Sequence, residues 1–149
     1  MRRALGLARR SAARGEVPVG ALALLDGTVI ASASNRMERA GDATAHAEML
    51  VLRRAAAIVG GWRLTGLVMV VTLEPCPMCA GAMVQARIER CVYGVRDPKK
   101  GADGSVYDVL RHAANNHRVA VTEGVLGEEC GRLLSRFFQA RRRASGMAR

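Results

Sequence analysis

Leu67-Val68-Met69-Val70-Val71-Thr72-Leu73-Glu74-Pro75-Cys76-Pro77-Met78-Cys79 is the stretch whose reading decides the fold. Its first seven residues are almost wholly apolar and rich in β-branched side chains, the composition of a central strand covered on both faces. Pro77 then opens a helical pattern that runs to residue 88. Proline fits there because the N–H it lacks has no acceptor in a first helical turn.

Working outward, residues 45–59 read as a helix closed by Gly60-Gly61, and residues 35–44 are polar and turn-rich. Residues 19–25 and 28–34 are strand-like and joined by Asp26-Gly27, a two-residue hairpin signal. Residues 2–14 form an amphipathic helix with Leu5, Ala8 and Ala12 on one face, ended by Gly15. Downstream, residues 91–95 give a short strand, 96–105 a loop rich in charge and glycine, and 107–112 a helical turn. Residues 118–122 alternate like a strand. Residues 126–143 form a terminal helix with Leu133, Leu134, Phe137 and Phe138 as its apolar face. Helix, hairpin, helix, strand, helix, strand, strand, helix is an α/β order with crossover connections.

A chain of 149 residues, half of them hydrophobic, suits one core, so residues 1–149 are expected to form a single domain. No apolar run approaches the roughly 18 to 20 residues of a membrane span. The arginine-rich start has no apolar segment behind it, so a soluble cytoplasmic protein is expected. Four cysteines are too few for a disulfide scaffold. Cys91 and Cys130 lie in apolar contexts and read as buried structural thiols.

Cys76 and Cys79 are three apart at a helix start, so both sulfurs can point from its first turn to one atom. His46 begins another helix in the same manner. One imidazole and two thiolates hold a zinc ion with its fourth position open, and Glu48, two residues beyond His46, is placed to move protons. The helix dipole favours the thiolate form of both cysteines. A thioredoxin-like redox pair would leave His46 and Glu48 without a role. A structural zinc would need a fourth ligand, and Cys91, Cys130, His112 and His117 lack ligand-like spacing to Cys76 and Cys79. Glu48 alone would read as a helix-capping carboxylate.

The net charge is +10, and 21 of the 23 basic residues are arginine. Residues 132–149 hold six arginines and no acid, while Arg96, Lys99 and Lys100 form a second basic knot. Guanidinium groups fork onto phosphates and stack on bases, so nucleic acid is one reading of this charge. A solvated face or codon bias is the other.

Together these residues resemble the zinc nucleoside deaminases, with their H-x-E and P-C-x-x-C signature. The likeness extends through Glu16-Val17-Pro18-Val19-Gly20, Asn35-Arg36, Thr44-Ala45-His46-Ala47-Glu48, residues 72–83, Arg96-Asp97, Gly101-Ala102, Asn116-His117-Arg118 and Phe137-Phe138. Taken end to end, it is similar to the bacterial tRNA-specific adenosine deaminases. Ala43 stands where that family often has proline, and Met1 falls directly on the first helix, where the family usually has further residues ahead.

The resemblance implies a three-layer cytidine deaminase-like fold, a five-stranded mixed sheet with helices on both faces. It implies a homodimer, one zinc per subunit, and hydrolytic conversion of adenosine to inosine at the wobble position of a tRNA anticodon. His46, Cys76 and Cys79 would bind zinc, which activates hydroxide for attack at C6, while Glu48 shuttles protons. Asn35 would hydrogen-bond the purine, Val17 and Pro18 would line its pocket, and Asp97 would contact the anticodon-loop backbone. Phe137 would border the pocket, and Arg141 and Arg142 would hold the anticodon stem-loop. Asn35 as a strand-ending turn residue and Asp97 as a loop cap or ion-pair partner are the plainer alternatives. A free-base deaminase and a non-catalytic zinc module that binds RNA are the rival functions.

Overall fold

The computed structural model describes residues 1–146; the last basic residue of the tail, Arg149, lies outside them. In chain order the elements are α1 (Arg2–Ala12), β1 (Gly20–Leu25), β2 (Thr28–Ser34), α2 (Met37–Ala40) and α3 (Ala47–Val59), followed by β3 (Val68–Leu73), α4 (Pro77–Gln85), β4 (Arg90–Val95), β5 (Ala120–Thr122) and α5 (Gly127–Gly146). The five strands form one sheet in the order β2-β1-β3-β4-β5. β1 runs antiparallel to both neighbours, and β3, β4 and β5 are mutually parallel, so the sheet is mixed as expected.

Asp26 and Gly27 make the β1–β2 turn with φ of 50° and 75°, the left-handed pair that such a hairpin needs. β3 lies at the centre, with four consecutive buried residues, as its composition requires. One sheet face is covered by α3 and α4, and the main core fills the space between, including Val51, Met69, Val71, Met83 and Ile88. The other face carries α1, through Ala4 against Leu22 and Val70, with α5 beside it against β4. Two glycines permit this second layer to sit close. A Cβ at Gly20 would run into the α1 backbone, and one at Gly94 into the Cys130 sulfur.

Four sequence expectations are corrected. Residues 107–112 form no helical turn; the Val109 and Leu110 amides both donate to the Ala102 carbonyl, at 2.9 and 3.3 Å, folding the segment back on the preceding loop. Residues 37–40, read as turn-rich coil, form the short helix α2. The apolar face of α5 is only half-covered, with Cys130 its one buried residue and Phe138 42% exposed. On α1 the buried face is Ala4, Leu5, Ala8 and Ser11, and Ala12 lies at its margin.

Candidate active site

The register gathers the candidate residues at one end of the sheet. Gly20 pairs with Ser34, Ala21 with Val71, and Leu73 with Val95, so β1 begins where β2, β3 and β4 finish. Backbone hydrogen bonds tie the flanking segments together at that end. The Asn35 amide donates to Val19 at 3.0 Å, Arg36 to Ala45 at 3.1 Å, and Ala102 to Pro75 at 2.9 Å. The segments carrying Val17 and Pro18, Asn35, His46, Cys76 and Asp97 are thereby neighbours.

His46 caps α3 and Cys76 caps α4, with Pro77 in the first turn behind it. The His46 Nδ1 lies 3.7 Å from Cys76 Sγ and 3.5 Å from Cys79 Sγ. All three donor atoms fall within 4.8 Å of one another. Tetrahedral zinc with its usual bond lengths to sulfur and nitrogen separates such donors by about 3.6 Å, so the set fits the ion as it stands. Among the described residues, no fourth His, Cys, Asp or Glu joins the group. The candidates for a closed site are engaged elsewhere. Cys91 and Cys130 are buried, His117 Nε2 donates to the Ile88 carbonyl at 2.7 Å, and His112 Nδ1 accepts the Ala114 amide at 3.2 Å.

Protonation follows from this packing. Cys76 accepts a hydrogen bond from the Cys79 thiol and another contact from His46, which together hold its pKa down at about 4. Cys79 is pushed up by the same bond with Cys76 and by burial, so the two sulfurs share one proton that metal binding would displace. His46 is raised, chiefly by its bond to Cys76, while burial and, to a lesser extent, the Lys100 ammonium oppose that rise. Glu48 is 4% exposed. Burial lifts its carboxyl to about 7, against the pull of its own backbone N–H and of His46. The carboxyl lies within hydrogen-bonding reach of the Cys79 sulfur, so this first-turn side chain extends to the cluster. A carboxyl poised near neutrality can both take and return a proton.

Asn35 is buried, and its Nδ2 donates weakly to Glu16 Oε2 at 3.5 Å. Pro18 is buried and Val17 half-buried against the main core. Asp97 Oδ1 accepts the Lys99 and Lys100 amides at 2.9 and 3.2 Å, capping its own loop. Phe137 packs edge-on against Phe138 at 5.4 Å between centroids, and the Arg141 guanidinium stacks over Phe137 at 5.7 Å. Arg142 is exposed on the same helix.

Three buried carboxyls escaped the sequence reading: Glu16, Glu74 and Asp103, the last accepting from the Tyr93 hydroxyl at 3.0 Å and from Arg111 Nε at 2.8 Å. Glu16 accepts the Glu38 and Arg39 amides at 3.2 and 2.9 Å and so starts α2. Glu74 accepts the Asp97 and Asp103 amides at 2.9 Å each, the Ser105 amide at 3.3 Å, and the Ser105 hydroxyl. Glu16 and Glu74 stand inside the quoted blocks, yet nothing local distinguishes their roles.

Residues 1–142 match the MafB19-like deaminase family. A tRNA-specific adenosine deaminase of Bacillus subtilis strain 168 is 46% identical over 149 residues, covering 100% of this chain and 92% of its own. A solved structure from work on A-to-I editing by tRNA:A34 deaminases at the wobble position of transfer RNA superposes with a TM-score of 0.85 at 44% identity, over 88% of this chain and 95% of the other. A guanine deaminase from Nitrosomonas europaea gives a TM-score of 0.74 at 24% identity, over 91% of this chain and 80% of the other, a likeness of fold.

Proposed function

The chain belongs to the MafB19-like deaminases and, among them, to the tRNA-specific adenosine deaminases, and from that premise we infer that it converts adenosine to inosine at the wobble position of a tRNA anticodon. The observation that carries this reading is the convergence of His46, Cys76 and Cys79 beside the buried Glu48, in a chain matched over its whole length. The reaction consumes water and releases ammonia, with the C6–N bond of adenine broken and a C6–O bond formed.

His46 Nδ1 and the sulfurs of Cys76 and Cys79 are the proposed zinc ligands. Bound there, zinc supplies Lewis acidity that makes water a nucleophile near neutral pH. Glu48 takes a proton from the attacking water and delivers it to N1; it then takes the second proton from the new C6 hydroxyl and passes it to the amine, which leaves as ammonia while C6 becomes a carbonyl. Burial raises the Glu48 carboxyl's affinity for a proton, which suits a group that must accept one before passing it on. The two helix N-termini that present His46 and Cys76 favour negative charge developing in front of them.

Asn35, Val17 and Pro18 form the purine pocket in this reading, supported by their placement at the same sheet end. Asp97, with Arg96, Lys99 and Lys100 around it, meets the anticodon-loop backbone. Phe137, Arg141 and Arg142 on α5 engage the stem-loop in this reading, supported by the exposure of the two arginines and the stacking of Arg141 on Phe137. A loop nucleotide is already partly unstacked, so extruding it costs less than extracting a base from a duplex. The protein works as one domain, in the cytoplasm, as a homodimer. The apolar groove between α3 and α4, lined by Met49, Leu52, Ala56 and the 60% exposed Trp62, supports the last point.

The direct test is sequencing of total tRNA after depletion of the protein. Wobble inosine reverting to adenosine is expected, and unchanged inosine in every tRNA overturns the assignment. In vitro, an anticodon stem-loop is expected to react faster than free adenosine, guanine or cytosine.

A further inference from the structure

Glu74 is the most heavily used side chain that the reaction itself does not need. It leaves β3 one residue before Pro75-Cys76 and is 2% exposed. Its backbone amide donates to Val95 at 2.8 Å, which fixes the β3 and β4 ends side by side. Its carboxyl then reaches across to the loop of residues 97–105. Oε2 accepts the Asp97 amide at 2.9 Å and contacts the Ser105 hydroxyl, and Oε1 accepts the Asp103 and Ser105 amides at 2.9 and 3.3 Å. All four partners are donors, gathered from the start and end of one loop.

Other features of that loop fit the same clamp. A Cβ at Gly101 would collide with the Glu74 carboxyl and with the Asp97 carbonyl, so the loop closes around the side chain only where residue 101 has none. The Ala102 amide donates to Pro75, the residue between Glu74 and Cys76, at 2.9 Å. Asp97 in turn caps Lys99 and Lys100, whose side chains are exposed. The carboxyl that grips the loop thus stands two residues from a proposed zinc ligand, and the loop presents two lysines to solvent beside the cluster.

We propose that Glu74 is a positioning residue that sets Lys99 and Lys100 in register with the His46–Cys76–Cys79 cluster, so that an RNA backbone held by the loop places its target base at that cluster. The inference rests on the tRNA deaminase reading. Glu74 acts through backbone placement alone and touches neither substrate nor metal. An amide in its place turns N–H donors toward N–H donors, leaving buried groups unmatched and releasing the loop.

The experiment compares wild type, Glu74→Gln and Gly101→Ala. The measurements are bound zinc, KM and kcat on an anticodon stem-loop, and the salt dependence of stem-loop binding. Both variants are expected to keep one zinc per chain and near-normal kcat while KM rises roughly tenfold and the slope of log K against log salt shrinks by about 1 to 2, as for two lost lysine–phosphate contacts. A clamp that matters only for folding would lower stability and leave the salt slope where it was. Gly101→Ala pushes the loop off the Glu74 carboxyl while leaving that carboxyl in the chain, so it decides the matter if Glu74→Gln fails to fold. An unchanged KM and slope in Gly101→Ala overturn the proposal. A wild type that binds the stem-loop but never deaminates it overturns the substrate reading instead, and the binding slopes still judge Glu74.

Discussion

The two ends of the sheet are built from different materials. At the end holding the β1–β2 turn, the chain is closed by backbone bonds and apolar side chains. Leu64 donates to Ala86 at 2.7 Å, Glu89 donates to Leu67 at 2.9 Å, and Leu64, Leu67 and Ile88 are buried beneath. The buried polar side chains of the described residues, Ser11, Glu16, Asn35, Glu48, Thr72, Glu74 and Asp103, all belong to the opposite end or to the loop docked on it. Each needs a partner to offset its lost hydration, and no buried side-chain nitrogen or oxygen there lacks one. One end holds the molecule together; the other spends that stability on geometry.

The largest test of this contrast is Glu48→Ala. It removes a buried carboxyl and no metal ligand, so turnover on a stem-loop is expected to fall by roughly 10² to 10⁴, the usual worth of a proton-transfer group, with zinc content and melting temperature held. Loss of the metal in that variant would break the assignment. The converse change at the apolar end is Leu67→Ala. It should cost about 2 to 5 kcal/mol in denaturant unfolding while kcat of the folded protein stays put. A comparable loss of kcat would show that the two ends are not separable.

Replacing Arg141, Arg142 and Arg143 by alanine probes a region outside both ends. The expected result is weaker stem-loop binding, a salt slope smaller by about 2, and unaltered thermal stability. An unchanged slope would reduce the α5 arginines to a solvated face. The mildest test concerns Glu123, whose carboxylate is held below its ordinary 4.5 by the Arg96 guanidinium at 2.7 Å and by the Tyr93 hydroxyl at 2.9 Å. A depressed carboxylate contributes stability above its ordinary pKa and loses it as pH falls through the folded value. Wild type should therefore exceed Glu123→Gln in stability at pH 6, and the gap should close on titration below pH 4. A gap that persists in acid would contradict the pairing.

What was legible in the sequence was whatever local rules decide. Asp26-Gly27 demanded its turn, the β-branched run of residues 68–73 demanded burial, and Pro77 and Gly60 marked helix ends that the structure keeps. The spacing of Cys76 and Cys79, with His46 at another helix start, was enough to expect one metal site, and their donor atoms converge. What escaped depends on partners far along the chain. Helix α2 exists because Glu16, more than twenty residues earlier, accepts its first amides. Glu74 resembles any motif residue until the loop of residues 97–105 folds over it. The faces of α5 carry a helical pattern that says nothing about how little of it the sheet covers.

The unequal exposure of the four thiols has a practical corollary. Cys91 and Cys130 are sealed in the interior, where burial keeps both protonated at neutral pH, whereas Cys76 is half-open and its pKa is lowered by the Cys79 thiol beside it. Coordination would mask that sulfur, so in a stripped preparation an alkylating reagent should attach there first. The extent of labelling would then count vacant molecules, giving an occupancy gauge that requires no substrate.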